Sequence, residues 1–358
     1  MATSSLIKIL TVVGARPQFV KAGPVSAALS SVAREIVVNT DQHYDAEMSD
    51  VFFRDLELKP ADYNLNVGSG SHGAQTAEML KRIEVVMMDE RPDFVMVYGD
   101  TNSTLAGALA AAKLHIPVAH VEAGLRSFNR AMPEEINRVL TDHVSSLLFV
   151  PSPLAKRQLG DEGITSGVHI TGDVMYDAVL RYAPLAARVS RYPGLLGLEA
   201  RTFYLCTVHR AENTDDAGKL REIMQALDEL PLPVVVPLHP RTKKKLGELN
   251  ISVGSNIKLI DPVGYLDMLQ LLQSSLVVLT DSGGLQKEAY YIGVPCVTLR
   301  AETEWTETVD AGWNRLAGHE HQRILDAVKA ARTLPAERPE LYGDGKAATR
   351  IAAILTCQ

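Results

Sequence analysis

The sequence predicts an α/β fold made of two doubly wound domains that face each other across a cleft. The chain has 358 residues, which exceeds what one ordinary hydrophobic core holds together. Short β-branched apolar runs alternate with helical segments along the whole chain, and this pattern is typical of βαβ units and a parallel sheet. The predicted strands are almost entirely apolar, as expected when helices cover both faces of each sheet.

The first domain begins with an apolar run that stops at a tight turn and continues into a helix. Its predicted strands are Ile7–Val13, Ile36–Val38, Phe94–Tyr98, Val118–Val121 and Leu147–Val150. Predicted helices include Ala74–Glu90 and the alanine-rich Asn102–Leu114. We place this domain at residues 1–172, and a further helical segment, Val174–Arg181, follows it.

A segment rich in Pro, Gly and Arg, from Pro184 to Gly197, is the predicted linker region. The second domain, placed at residues 173–345, repeats the alternation. Its strands are predicted at Phe203–Thr207, Val234–Pro237, Ile257–Ile260, Leu276–Thr280 and Cys296–Leu299. A last helix is expected at Ala347–Leu355, after the break at Gly343–Gly345.

Composition narrows the classes of function. The chain is 46% hydrophobic and 22% charged with a net charge of −7, so a basic nucleic-acid-binding face is not expected. No stretch reaches the ~18 apolar residues of a membrane span, and the N-terminus lacks a signal-peptide layout. Three scattered cysteines indicate a reducing compartment, so we expect a cytoplasmic protein. No histidine spacing indicates a metal site.

The residues that follow predicted strands are the candidates for a site, because open α/β sheets bind ligands beyond the carboxyl ends of their strands. In the first domain these are Gly14, Arg16, Lys21, Asp100, Glu122 and the nearby Glu134. In the second domain they are His209, Arg210, His239, Asp281, Ser282, Gly283 and Gly284. Three carboxylates near strand ends suggest proton transfer, although helix capping is an alternative role for Asp100 and Glu134.

The segment D-S-G-G opens a helix directly after a strand and is the strongest candidate for an anion site. Small residues there let backbone N–H groups approach a diphosphate, and the helix dipole adds to the attraction. Glu288, one turn into the helix, could accept hydrogen bonds from ribose hydroxyls. Ordinary helix capping by Ser282 is the alternative.

A literal G-x-G-x-x-G occurs at Gly68–Gly73, but the preceding segment is too polar for a central strand. We interpret it as a loop rather than a dinucleotide site, which disfavours an NAD enzyme.

Together the motifs resemble one family along nearly the whole chain. G-A-R-P-Q-F-V-K, Y-G-D-T-N-S-T-L-A, H-V-E-A-G-L-R, M-P-E-E-I-N-R, H-R-A-E-N-T, D-S-G-G-L-Q-K-E-A and T-E-W-T-E are similar to the non-hydrolysing UDP-N-acetylglucosamine 2-epimerases. The resemblance implies a GT-B fold of two Rossmann-like domains, with residues 346–358 forming a helix that packs back on the first. It also implies a cytoplasmic homodimer without redox cofactor or metal that supplies precursors of surface polysaccharides.

The same resemblance implies a mechanism and site residues. UDP leaves from C1, C2 loses its proton to give a glycal, the opposite face is reprotonated and UDP adds back. Arg16, His209 and Ser282–Gly284 resemble diphosphate contacts, and Glu288 resembles a ribose contact. The proton-transfer acids correspond to Asp100, Glu122 and Glu134, with His209 also counted as catalytic. Lys21 and Arg210 match charged positions of the substrate site, to which we add His239.

Some segments depart from the family pattern. Gln42-His43-Tyr44-Asp45 differs from the stretch that binds a second, activating UDP-N-acetylglucosamine. The T-E-W form, with R-S-F-N-R-A-M-P-E-E, resembles the subgroup acting on UDP-2,3-diacetamido-2,3-dideoxy-glucuronic acid. Arg126 or Arg130 is then a candidate partner for the additional substrate carboxylate. A hydrolysing epimerase and a GT-B glycosyltransferase are the remaining alternatives.

Overall fold

A computed structural model describes residues 6–42, 56 and 58–357 of the chain. The protein divides into two compact units, one formed by Met1–Leu180 with Tyr342–Gln358 and the other by Arg181–Leu341. Each unit contains one parallel sheet, as the alternating pattern predicts. Among the described residues, no helix is long and apolar enough to cross a membrane.

The sheet of the first unit has the strand order β3-β2-β1-β4-β5-β6-β7 within the described residues. Its strands are β1 (Ile7–Val13), β2 (Ala33–Asn39), β3 (Tyr63–Asn64), β4 (Phe94–Tyr98), β5 (Val118–Val121), β6 (Leu147–Val150) and β7 (Val168–Ile170). Its helices are α1 (Arg16–Leu29), α2 (His72–Glu90), α3 (Asn102–Lys113), α4 (Pro133–Val144), α5 (Pro153–Asp161), α6 (Val174–Val189, which continues into the second unit) and the C-terminal Ala347–Thr356.

Alternate residues of β1 supply two hydrophobic cores, one on each face of this sheet. Ile9 and Val13 pack in a cluster that contains residues of α1 and of the C-terminal helix. Leu10 and Val12 pack against residues of α2 and α3 on the other face. Glycine at position 107 of α3 allows this close packing, because a Cβ there would lie 3.1 Å from Val12 and Val97. Burial on both faces explains why the central strands are continuously apolar.

The sheet of the second unit has the order β10-β9-β8-β11-β12-β13 within the described residues. Its strands are β8 (Tyr204–Thr207), β9 (Val234–Pro237), β10 (Ile257–Ile260), β11 (Val278–Thr280), β12 (Cys296–Thr298) and β13 (Asn314–Leu316). Its helices are α7 (Ala211–Thr214), α8 (Ala217–Asp228), α9 (Pro240–Glu248), α10 (Tyr265–Ser274), α11 (Gly283–Ile292), α12 (Thr306–Asp310) and α13 (His321–Ala331), and the C-terminal helix of the first unit is α14.

The expected linker does not begin at Pro184, because α6 continues through that proline to Val189. The alanine-rich sequence on either side of Pro184 sustains the helix, and Tyr182 and Ala186 are buried. Irregular chain follows after Val189 and includes a short 3-10 helix at Gly194–Leu196.

Candidate active site

The turn after β1 is closed by the side chain of Gln18. Its Oε1 accepts hydrogen bonds from the backbone N–H groups of Gly14 at 2.9 Å and Ala15 at 3.1 Å. Its Nε2 donates to the carbonyl oxygen of Tyr98 at 2.9 Å, and the side chain is 1% exposed. Because Gln18 already satisfies these two N–H groups, the turn does not present them to a ligand as a glycine-rich dinucleotide turn would. Arg16, the first residue of α1, is half-buried.

Lys21 and Glu122 form a buried ion pair. A Cβ at Gly99 would lie 3.3 Å from the Lys21 Nζ and from Glu122 Oε2, so glycine leaves room for the pair. Glu122 has a left-handed backbone with φ of 71°, which is unfavourable for a residue other than glycine. Such strain at the end of a strand is typical of a functional position.

Asp100 forms an ion pair with Arg138 of α4, and its side chain remains 30% exposed. Thr101, not Asp100, caps α3, since its hydroxyl accepts a hydrogen bond from the N–H of Thr104. The capping alternative for Asp100 is therefore wrong, and its carboxylate is bound by Arg138 instead. Asn137 donates to the Asp100 carbonyl oxygen at 3.0 Å and fixes the backbone of this turn.

The two neighbouring glutamates of α4 have different environments. Glu134 is exposed in the first turn, and within the described chain no hydrogen bond joins it to Asp100 or Glu122. Favourable interaction with the helix dipole thus remains an alternative role for Glu134. Glu135 is buried and accepts hydrogen bonds from the N–H groups of Ser127 and Phe128, both at 2.9 Å. It shapes the loop that precedes α4.

Arg126 is not available to a substrate carboxylate, contrary to one of the two expectations for that group. It is 4% exposed, and Glu162 accepts hydrogen bonds from its Nε at 2.6 Å and from its Nη2 at 2.8 Å. Its Nη1 donates to Asp142 at 2.7 Å. The hydrogen bonds and charge of Arg126 lower the pKa of Glu162 despite partial burial. Arg130 is exposed and remains a candidate.

In the second unit, Asp281 organises the turn that carries His209 and Arg210. The buried carboxylate accepts hydrogen bonds from the N–H groups of both residues at 3.0 Å and contacts His209 Nδ1 at 3.3 Å. Asn213 also donates to Asp281, at 3.2 Å. The sequence identified Asp281 only as part of a motif, whereas its burial and its partners make it the positioning group of this turn.

The structure brings together His209 and His239, which follow neighbouring strands. Their ring centroids are 5.5 Å apart. His239 also caps α9, because its Nδ1 accepts a hydrogen bond from the N–H of Arg241. Burial lowers the pKa of His239, and the charges of His209 and Arg241 lower it further. The Nδ1 atom of His239 is therefore used as a hydrogen-bond acceptor within the turn.

The D-S-G-G turn starts α11 as the sequence predicts. The Ser282 hydroxyl accepts a hydrogen bond from the N–H of Leu285, so the capping role is real. Gly283 packs against the side chains of Glu304 and Trp305. A Cβ at this position would lie 3.3 Å from Trp305 Nε1 and 3.7 Å from Glu304 Oε2. Glu288 follows on α11 and is 7% exposed.

Sequence reasoning missed the charged groups behind this turn. Arg300 and Glu304 form a buried two-point ion pair, with both N–O distances at 3.0 Å. Burial raises the pKa of Glu304, but the hydrogen bonds and charge of Arg300 outweigh it, so that pKa lies below its usual range. The Lys287 ammonium lies 4.0 Å from the centroid of the Trp305 ring. The only sequence signal was the unusual T-E-W segment.

The glycine-rich motif at Gly68–Gly73 does not form a dinucleotide site. Gly73 belongs to the first turn of α2, and Gln75 Nε2 donates to the carbonyl oxygen of Gly68 at 2.7 Å, so the glycine-rich segment is a loop joined to a helix. His43, Tyr44 and Asp45 lie outside the described residues.

Within the part of the chain that is described, no group of three or more His, Cys, Asp or Glu side chains could hold a metal ion.

Comparison with known proteins gives consistent matches over the whole chain. The model of the family described as UDP-N-acetylglucosamine 2-epimerase matches residues 28–356. A UDP-N-acetylglucosamine 2-epimerase homolog of Methanococcus maripaludis is 50% identical over 98% of this chain and 99% of its own length. The UDP-2,3-diacetamido-2,3-dideoxy-D-glucuronate 2-epimerase of Pseudomonas aeruginosa is 49% identical over 98% and 99% of the two chains.

A solved structure is equally similar in fold. The UDP-GlcNAc 2-epimerase of Methanocaldococcus jannaschii, in complex with UDP-GlcNAc and UDP, is 43% identical and superposes with a TM-score of 0.90. The match covers 99% of this chain and 100% of that one, and it confirms the predicted two-domain α/β fold of the GT-B class.

Proposed function

Because the chain belongs to the UDP-N-acetylglucosamine 2-epimerase family and is a UDP-sugar 2-epimerase, we propose that it inverts C2 of UDP-N-acetylglucosamine by eliminating and re-adding UDP. The observation that carries this mechanism is the placement of Asp100 and Glu122. They follow the adjacent parallel strands β4 and β5, and each is paired with a cation from another element.

The elimination step needs a stabilised leaving group. As the C1–O bond breaks, its electron pair leaves with the β-phosphate of UDP, so the developing charge requires cations and N–H donors. We assign this role to Arg16, His209, Arg210, His239 and the turn Ser282–Gly284, with Glu288 binding the ribose. Asp281 accepts hydrogen bonds from the backbone N–H groups of His209 and Arg210 and so fixes their turn. The ion pair of Arg300 with Glu304 lies beside Gly283.

The proton-transfer step needs carboxylates. One carboxylate removes the C2 proton as UDP leaves, which gives a glycal with a C1–C2 double bond. A second acid protonates C2 on the opposite face, and a phosphate oxygen of UDP attacks C1 to restore the bond. Asp100, Glu122 and Glu134 are the proposed acids, and Lys21 holds Glu122 in place. His209 adds a titratable group beside the diphosphate.

Isotope exchange tests this mechanism. Turnover in deuterated water should place one deuteron at C2 of the UDP-sugar while no free UDP accumulates. Complete turnover with the original proton retained at C2 would falsify the mechanism. Accumulation of free sugar and UDP would instead identify a hydrolysing enzyme, and dependence on an acceptor would identify a glycosyltransferase.

The second candidate substrate is UDP-2,3-diacetamido-2,3-dideoxy-glucuronic acid. A relative named for this substrate is 49% identical, and the exposed Arg130 could meet the additional carboxylate. Product assays with both UDP-sugars decide between them, and we expect faster turnover of UDP-N-acetylglucosamine. Faster turnover of UDP-2,3-diacetamido-2,3-dideoxy-glucuronic acid, with loss of that preference in Arg130→Ala, would make this sugar the assigned substrate.

We further propose that the protein is a cytoplasmic homodimer supplying surface-polysaccharide precursors. Apolar side chains are exposed on α2 (Val85, Met88) and α4 (Ile136, Leu140), the two helices on either side of α3. Burial of this face in a dimer would remove it from water. Light scattering should give twice the chain mass, and Leu140→Glu should reduce it to one chain. A single-chain mass for the unmodified protein would contradict the proposal.

A further inference from the structure

A fully buried histidine lies between the turns that carry Asp100 and Glu122. His120 is in the middle of the sheet, on β5, and is 0% exposed. Its Nε2 lies 2.7 Å from the carbonyl oxygen of Gly99, which directly precedes Asp100. Its Nδ1 lies 2.7 Å from Asp142 Oδ1 of α4.

Asp142 continues this connection to the second turn. Its Oδ2 accepts a hydrogen bond from the N–H of Gly124 at 3.1 Å, two residues after Glu122. The same oxygen accepts from Arg126 Nη1 at 2.7 Å. One imidazole and one carboxylate therefore join the turn after β4 to the turn after β5.

The hydrogen-bond geometry defines what His120 donates. A carbonyl oxygen only accepts, so Nε2 must carry a hydrogen. The other ring nitrogen, Nδ1, faces the Asp142 carboxylate. Burial raises the pKa of Asp142, but hydrogen bonds and charge from His120 and Arg126 outweigh this and lower it. Arg126 in turn joins Asp142 to Glu162, so the imidazole is held at one end of a buried set of charged side chains.

The turn after β5 needs such a restraint. Glu122 has a φ of 71°, a left-handed conformation that is unfavourable for a residue other than glycine. Strained turns persist only where the surrounding contacts hold them. The hydrogen bonds from His120 to the Gly99 carbonyl oxygen and from the Gly124 N–H to Asp142 provide such contacts.

We propose that His120 and Asp142 are positioning residues that set the separation of the Asp100 and Glu122 carboxylates. The inference rests on the proposed function, because it takes these two acids as the proton-transfer groups. His120 touches no substrate in this role and acts through the turns. Misplacing a reacting group by about 1 Å can cost on the order of 100-fold in rate.

The test compares two amide substitutions at one position. His120→Gln can still donate to the Gly99 carbonyl, whereas His120→Asn can still donate to Asp142 but not to Gly99. We expect kcat to fall about 10- to 100-fold in His120→Asn and in Asp142→Asn, and less in His120→Gln. KM and the Kd for UDP should stay within about twofold of the original, since ground-state binding is untouched.

Controls separate positioning from stability. His169→Gln removes another imidazole of the same sheet, on β7, where its ring centroid lies 6.0 Å from that of Phe149, and should leave kcat unchanged. Nitrogen-15 NMR of the unmodified protein should show a hydrogen on Nε2 of His120, as its bond to the Gly99 carbonyl requires, and this readout does not depend on any variant folding. An Nε2 without a hydrogen, or an unchanged kcat in a folded His120→Asn, would overturn the proposal.

Asp100→Asn and Glu122→Gln are measured in parallel. If both lose turnover while the His120 variants do not, the positioning inference fails and the proposed function stands. If both retain full turnover, the proposed function itself fails.

Discussion

Lys21 and Glu122 meet as a buried ion pair although they are 101 residues apart in the chain. Lys21 lies in α1, and Glu122 directly follows β5, so the pair joins a helix to the end of a strand. Their side chains are 11% and 7% exposed. Two unrelated sequence motifs, G-A-R-P-Q-F-V-K and H-V-E-A-G-L-R, thus form one structural unit.

Lys21→Met should destabilise the protein by about 3–5 kcal/mol, because it leaves the Glu122 carboxylate buried without its partner. The free energy of unfolding in urea measures this loss. Lys21→Met combined with Glu122→Gln should be more stable than Lys21→Met alone, since no unpaired charge remains. Additive losses in the double variant would show that the two residues are not energetically coupled.

Asp100→Asn should lower kcat by roughly 10²- to 10⁴-fold while the Kd for UDP stays nearly unchanged, because the amide cannot accept the C2 proton. Asp93→Asn is the matched control, since Asp93 lies at the opposite end of β4, where it accepts a hydrogen bond from the N–H of Lys8. Steady-state kinetics and UDP titration of both variants give the comparison. Equal kcat values for the two variants would remove Asp100 from the mechanism.

Arg16→Ala should weaken UDP binding by about 10- to 100-fold, the value of one charge-assisted hydrogen bond. The backbone N–H groups of Gly14 and Ala15 cannot replace the arginine, because Gln18 already occupies them. Calorimetric titration with UDP measures the Kd, and Arg34→Ala on β2 controls for loss of surface charge. A lower kcat at unchanged Kd would place Arg16 in the chemical step instead.

The interior strands and the four-residue edge strand β10 could be predicted from the sequence, whereas the three shorter edge strands could not. β1, β4, β5 and β6 match the predicted bounds because burial on both faces demands a continuous apolar run. The missed strands are β3, β7 and β13, and all three lie at sheet edges. They have two or three residues and are partly exposed, so they carry no apolar run to recognise.

Candidate residues could likewise be named, but not their partners. Asp100 and Glu122 follow from strand ends, yet Arg138 lies 38 residues from Asp100 and meets it only through the packing of α4. Arg126 shows the same difficulty, because nothing in the local sequence reveals that Glu162 and Asp142 occupy it. Ion pairs between distant elements depend on tertiary packing, and the hydrophobic periodicity of the sequence does not reveal them.

The pair Arg300 and Glu304 predicts a defined dependence of stability on pH. The pKa of Glu304 is lowered from 4.5, so its contribution to stability is present above that value and is lost as the pH falls through the folded-state pKa. Glu304→Gln removes the contribution and leaves Arg300 buried without its anion. The variant should therefore be clearly less stable at about pH 6, and the difference should narrow at about pH 4.

Urea unfolding at both pH values measures this difference. Glu248→Gln on α9 is the matched control, because its ion pairs with Lys244 and Lys245 are exposed and contribute little at either pH. A gap between the original chain and Glu304→Gln that stayed constant from about pH 6 to about pH 4 would mean that Glu304 does not titrate differently on folding. Arg300 and Glu304 would then stabilise the turn through the packing of their side chains and not through their charges.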